Sequence, residues 1–91
     1  PALPKDFILN PAYPNPFNPI TNISFTIPEL AEVKLEVYNV NGQLISTIVN
    51  SRLDVGYYTV SWDASYNPSG IYILKMISGN YIQTQKLLLV K

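Results

Sequence analysis

"EVKLEVYNVNGQLISTIV", residues 32–49, sets Val33, Leu35 and Val37 against Glu32, Lys34, Glu36 and Tyr38, then turns at Asn41-Gly42 into a second apolar-rich run. Successive side chains leave a strand on opposite faces, so this alternation marks a half-buried β-strand. Val33, Leu35 and Val37 are expected to face a core, with Lys34, Glu36 and Tyr38 facing water. Asn-Gly between two such runs is the strongest short-range hairpin signal, because a type I′ turn needs positive φ at both central residues. The returning strand is expected over Gln43 to Val49, with its inward face left open by Leu44, Ile45, Ile48 and Val49.

The same period recurs on both sides of this hairpin. Asp6 to Leu9 reads as a short leading strand ended by "NPAYPNPFNP". Thr21 to Ile27 places Ile23, Phe25 and Ile27 on one face and closes at Pro28. Tyr57 to Asp63 turns Tyr58, Val60 and Trp62 inward. After the loop "ASYNPSG", Ile71 to Ile77 turns Tyr72, Leu74 and Met76 inward, and Ser78-Gly79-Asn80 leads into a last strand, Tyr81 to Val90. No 3.6-residue stripe is long enough for a helix. About seven antiparallel strands at a spacing of roughly 8 to 12 residues predict an all-β, immunoglobulin-like β-sandwich.

A length of 91 residues suits one domain. The absence of cysteine and histidine excludes disulfides, thiolate chemistry and His-based acid/base catalysis. Six cations balance six anions, which argues against nucleic acid and anionic membranes as partners. The longest aliphatic run, Leu87 to Val90, is too short to span a bilayer. The opening "PALPKDF" reads as linker, so residues 1–12 are expected to be a linker with the short leading strand and residues 13–91 the domain, excised from a longer protein.

Each candidate site has a structural alternative. In "YPNPFNP", Pro14, Pro16 and Pro19 cannot donate to a ladder and hold Tyr13, Asn15 and Asn18 extended. Pro16 to Pro19 formally matches the P-x-x-P docking pattern, but a rigid lid over one end of the sandwich, anchored by Phe17, is the expectation. Glu32 and Glu36 lie roughly 13 Å apart at about 3.3 Å per residue, wide of a glycosidase pair, and are expected to be solvated. Without histidine the seven serines can form no conventional triad. No catalytic residue and no cofactor is expected.

Asp54, Asp63 and Asn67 could offer oxygens to calcium, but without a D-x-D-x-D series turn chemistry is expected and no metal site. Tyr57, Tyr66 and Tyr81 raise a sugar-binding platform, against which stands the ordinary fit of tyrosine to a pleated surface. Asn22-Ile23-Ser24 is a formal glycosylation sequon inside a strand. In "YIQTQKLLLVK" the aliphatic run suggests a strand buried on both faces or one that pairs outside the chain, flanked by Lys86 and Lys91 as gatekeepers or recognition marks.

Together, "YPNPFNPITNISFTIP", "VYNVNGQLI", "VGYYTVSWD", "PSGIYILKM" and "TQKLLLVK" resemble the type A C-terminal sorting domain of the bacterial type IX secretion system, over Tyr13 to Lys91. The resemblance implies a non-catalytic signal carried behind a larger cargo. Such cargo passes through the periplasm, is recognised by the outer-membrane translocon, and is then attached to the cell surface or released, usually after a sortase-type peptidase removes the domain. Residue by residue it implies recognition roles for Pro14, Asn15 and Pro16, for Gly42 and Gln43, for Gly70 and Tyr72, and for Lys86 and Lys91. Ala64-Ser65 after Trp62-Asp63 departs from the family, where glycine is frequent. A receptor reading the last strand's free edge by strand addition is a compatible mechanism. The nearest confounder is the immunoglobulin-like domain of flagellar hook-capping proteins, and an immunoglobulin-like or carbohydrate-binding accessory module of a surface enzyme is the alternative function.

Overall fold

Seven antiparallel strands in two sheets make up the computed structural model, which describes residues 2–91; Pro1, the first residue of the expected linker, lies outside the described residues. In chain order they are β1 (Ile8–Leu9), β2 (Ile20–Ile27), β3 (Ala31–Asn39), β4 (Leu44–Leu53), β5 (Gly56–Asp63), β6 (Gly70–Ser78) and β7 (Tyr81–Leu89). One sheet runs β1-β2-β5 and the other β4-β3-β6-β7. This is the all-β sandwich that the alternation predicts.

The inward residues are those the period assigns. Ile23, Phe25 and Ile27 of β2 meet Val33, Leu35 and Val37 of β3, Leu74 and Met76 of β6, and Leu87 and Leu89 of β7. Trp62 of β5 joins the sheets at one end, with its ring centroid 5.7 Å from that of Phe17 and 5.4 Å, edge-on, from that of Tyr72. The Tyr72 hydroxyl donates to the Pro68 carbonyl at 2.6 Å. A tyrosine near the start of the penultimate strand, bonded to backbone four residues upstream, is the tyrosine corner of immunoglobulin-like sandwiches.

Four local expectations are corrected. The β3–β4 hairpin is not a type I′ turn: Gly42 N donates to Asn39 O at 3.0 Å, and only Gly42 has positive φ, at 80°. That is a type I turn closed by a glycine bulge, a three-residue loop. Asn39 selects it, because its Oδ1 accepts from Asn41 N at 2.9 Å and from Gln43 N at 3.0 Å. Secondly, β4 continues through Leu53, and its face was ambiguous because Ile48 and Ile45 are skipped in the pairing with β3.

Thirdly, Glu36 is not solvated. It lies on the outer face of its sheet but is only 8% exposed, covered by Tyr38, whose hydroxyl donates to Glu36 Oε1 at 2.7 Å, and placed opposite Lys75. This bond, then burial, then the nearby carboxylate charge, raise the Tyr38 pKa. Fourthly, the aliphatic run of β7 is not buried on both faces: Leu87 and Leu89 are in the core, while Leu88 and Val90 are 38% and 50% exposed.

The proline segment closes the sandwich with Phe17 buried, but as a seam along its side. Asn10 N and Tyr13 N donate to Ser24 O and Asn22 O of β2, each at 3.0 Å, and the chain then crosses to β7, where Phe17 makes a parallel bridge with Leu89. Phe17 is 2% exposed, so Phe17→Ala should cost about 3–5 kcal/mol of unfolding free energy in a denaturant titration. A loss under about 1 kcal/mol would mean that the seam is not part of the cooperative core.

Candidate functional site

The residues singled out by motif are scattered in sequence but gather at one end of the sandwich. At that end β3 finishes, Asn39 facing Tyr72, and the Asn39–Gly42 turn carries Gly42 and Gln43 beyond it. There too β6 starts, Gly70 facing Leu89 of β7, and the seam segment arrives with Phe17 beside Leu89. Pro14, Asn15, Pro16, Gly70, Tyr72, Lys86 and Lys91 thus share one neighbourhood, with Gly42 and Gln43 at the tip of the adjacent hairpin.

Asn15 is the joint of this neighbourhood. Pro14 and Pro16 on either side have no N–H to offer, so main-chain pairing with β7 cannot pass continuously through them. The Asn15 side chain takes its place: Nδ2 donates to Lys86 O at 2.8 Å, and Oδ1 accepts from Leu88 N at 3.0 Å. Phe17 N then donates to Leu88 O and Val90 N donates to Phe17 O, both at 2.9 Å. One step earlier, Gln85 Oε1 accepts from Ala12 N and Gln85 Nε2 donates to Asn10 O, both at 2.8 Å. The Thr21 hydroxyl, fully buried, donates to Pro14 O at 2.7 Å. The peptide bonds before Pro14, Pro16 and Pro19 are cis.

The outward edge of β7 from Lys86 to Val90 is therefore already paired with its own chain. Strand addition by a receptor along that stretch, compatible with the sequence, meets no free ladder there. The P-x-x-P reading fails for a related reason, since Phe17 inside it is buried in the core.

Gly70 opens β6 at φ 152° and Gly42 sits at φ 80°, backbone that L side chains rarely adopt, while a Cβ on either would meet nothing within 4 Å. What these two positions need is conformation, not room. Lys86 has an exposed side chain, and its carbonyl carries the Asn15 contact. Lys91 is tied down at two points, its Nζ donating to Ser65 O at 2.6 Å and its backbone N donating to Ser69 Oγ at 3.0 Å. The Asp63 carboxylate accepts from the Ser65 hydroxyl and from Ser65 N. Those two bonds, with a smaller contribution from the Lys91 charge against the opposing effect of burial, hold its pKa below the ordinary aspartate range.

The competing sites do not assemble. Asp54 and Asp63 flank β5 at opposite ends and cannot share one ion; each bonds a nearby backbone N–H, Val55 or Ser65. Tyr57 and Tyr66 are likewise separated by the length of β5, about 20 Å at the strand rise, and Tyr81 stacks on Phe7 at 5.3 Å, so the three form no common platform. Asn22 of the sequon accepts from the Ser61 hydroxyl at 2.7 Å. A cleft of about 550 Å³ lies at the other end of the sandwich, lined in part by Phe7, Glu29, Glu32 and Tyr81, away from the motif residues. The contribution of Asn15 and Gln85 as edge-pairing side chains was not visible in the sequence, although an Asn held between two prolines was a signal.

Among known families, the one described as the secretion system C-terminal sorting domain matches residues 11–91. No curated protein and no solved structure matches the chain.

Two outcomes test this geometry. Asn15→Ala should lower stability by about 1–2 kcal/mol, the size of two modest hydrogen bonds, and accelerate amide exchange at Leu88; unchanged exchange there would refute the side-chain pairing. For Asp63 the folded pKa is depressed, so its stabilisation is present above the unfolded value of about 3.9 and is lost as pH falls through the folded value. NMR titration should find Asp63 below that value, and Asp63→Asn should flatten the acid limb of the stability profile.

Proposed function

We propose a function that proceeds from family membership: the chain belongs to the type IX secretion C-terminal sorting domain family, whose members are sorting signals for export to the cell surface or beyond. In this reading residues 13–91 are the signal and residues 1–12 the join to a larger N-terminal cargo. The cargo enters the periplasm, the outer-membrane translocon recognises the domain, and a sortase-type peptidase removes it as the cargo is attached or released. The chain itself does no chemistry in this scheme. It is a folded label.

The observation that supports this reading is the gathering of Pro14, Asn15, Pro16, Gly42, Gln43, Gly70, Tyr72, Lys86 and Lys91 at one end of the sandwich. Most of them do structural work there. Asn15 binds the β7 edge, Gly42 and Gly70 supply unusual backbone, and Tyr72 forms the corner. The side chain left for a partner to read is foremost that of Lys86, with Lys91 beside it holding the loop at Ser65. A receptor in this scheme reads the shape and charge of a rigid end rather than an extended peptide.

The test fuses residues 1–91 to a fluorescent passenger with an export signal, in a host possessing the type IX system. The passenger should reach the cell surface or medium; retention in the periplasm, as without the domain, would sink the sorting reading. Removing residues 86–91 is a poor second test, because Leu87 and Leu89 are core residues and Phe17 would lose its partner. Lys86→Ala and Lys91→Ala leave that core in place. Together they should cut export about tenfold with little change in thermal midpoint, and full export by the double variant would remove the lysines from the signal.

A further inference from the structure

The two outer faces of the sandwich differ in chemistry. In the middle of the three-stranded sheet β2 and β5 turn short polar side chains outward, with Ser24 and Thr59 hydrogen-bonded at 3.2 Å and Ser61 donating to Asn22 at 2.7 Å, while Ile20 and Tyr57, 45% and 64% exposed, stand apart at its two ends. The middle of that face is satisfied in water, and Ile20 and Tyr57 form no continuous row. On the four-stranded sheet, Ile71 stands opposite Leu88, Ile73 lies between Tyr38 and Lys86, and Ile77 lies between Lys34 and Ile82. Leu44, opposite Tyr38, extends the apolar surface to the far edge. Ile71, Leu44 and Ile82 are 41%, 52% and 57% exposed.

Cations outnumber carboxylates on this second face. Lys34, Lys75, Lys86 and Arg52 share it with Glu32 and Glu36, and Glu36 is buried beneath Tyr38. The chain as a whole has no net charge, so cations are concentrated here and displaced from the rest. Lys86, one of the motif residues, belongs to this face.

We propose that the outer face of β4-β3-β6-β7 docks a protein partner whose surface combines apolar side chains with carboxylates. The apolar rows supply burial, and the lysines between them select acidic neighbours and reject basic ones. A second copy of this chain would bring lysines against lysines. A lipid surface fits less well, because Lys34 and Lys86 are interleaved with the isoleucines rather than forming a separate polar face, and a membrane-seated face immerses its apolar side as a unit. The proposal rests on the sorting reading only for where the partner is met.

The test places the photocrosslinking residue benzoylphenylalanine at Ile82, or at Ser61 on the polar face, in the exported passenger fusion. Irradiation during export should give a discrete protein adduct from Ile82 and none from Ser61, with the crosslinked peptide rich in Asp or Glu. Lys34→Glu should reduce that adduct about tenfold; Lys34→Gln, which adds no charge, should reduce it less and guards against misfolding. Equal adducts from both faces, an adduct only with a second copy or with lipid, or an adduct indifferent to Lys34→Glu would overturn the proposal. A passenger retained in the periplasm that still gives the Ile82 adduct ends the sorting reading and keeps the docking face. Normal export without a face-specific adduct does the reverse, and neither export nor adduct ends both.

Discussion

The pairing of residues 10–17 with residues 85–90 is the contact on which the sandwich depends. Two sheets stacked face to face leave open sides, and the side beside β7 would expose both the hydrocarbon between the layers and a row of unpaired peptide groups. One segment answers both needs here. It starts hydrogen-bonded to β2, crosses between the layers, inserts Phe17 against Trp62, and ends hydrogen-bonded to β7. Prolines make the crossing stiff but strip it of donors, so an amide side chain had to replace main-chain pairing, and Asn15 has one donor end and one acceptor end at the required reach.

Several other features follow from that contact. Thr21 can be fully buried because Pro14 O accepts its hydroxyl, and the Trp62 ring is held between Phe17 from the seam and Tyr72 from the tyrosine corner. Among the described residues no buried side-chain nitrogen or oxygen lacks a partner. The end of the sandwich that carries the motif residues is therefore a well-braced surface.

How far the sequence reveals this depends on the range of each interaction. The inward sets Val33-Leu35-Val37 and Ile23-Phe25-Ile27 follow from period alone, because a strand's two faces are fixed by its own backbone. Asn41-Gly42 located a turn but not its type, which the Asn39 side chain decides from two residues upstream. The period failed in β4 where Ile45 and Ile48 bulge, and charge failed at Glu36, since only the fold shows Tyr38 covering it. The seam left no periodic trace: its bonds join residues 71 to 75 positions apart through side chains as well as backbone. Resemblance found the gathered residues one by one, while their common neighbourhood exists only in three dimensions.

The long separation of those bonds has a bearing on how the chain matures. A polypeptide made or threaded with its N-terminus first presents Asn15 and Phe17 long before Lys86 and Leu88 exist for them to bind. Until then Phe17 has no bridge partner and the strands that have emerged keep an unsealed flank. Contacts between residues so far apart in sequence carry a larger loop-closure cost than those within a hairpin. A chain that stops short of residue 85 lacks every β7 partner of the seam, and Asn10, Ala12, Asn15 and Phe17 are left without those bonds.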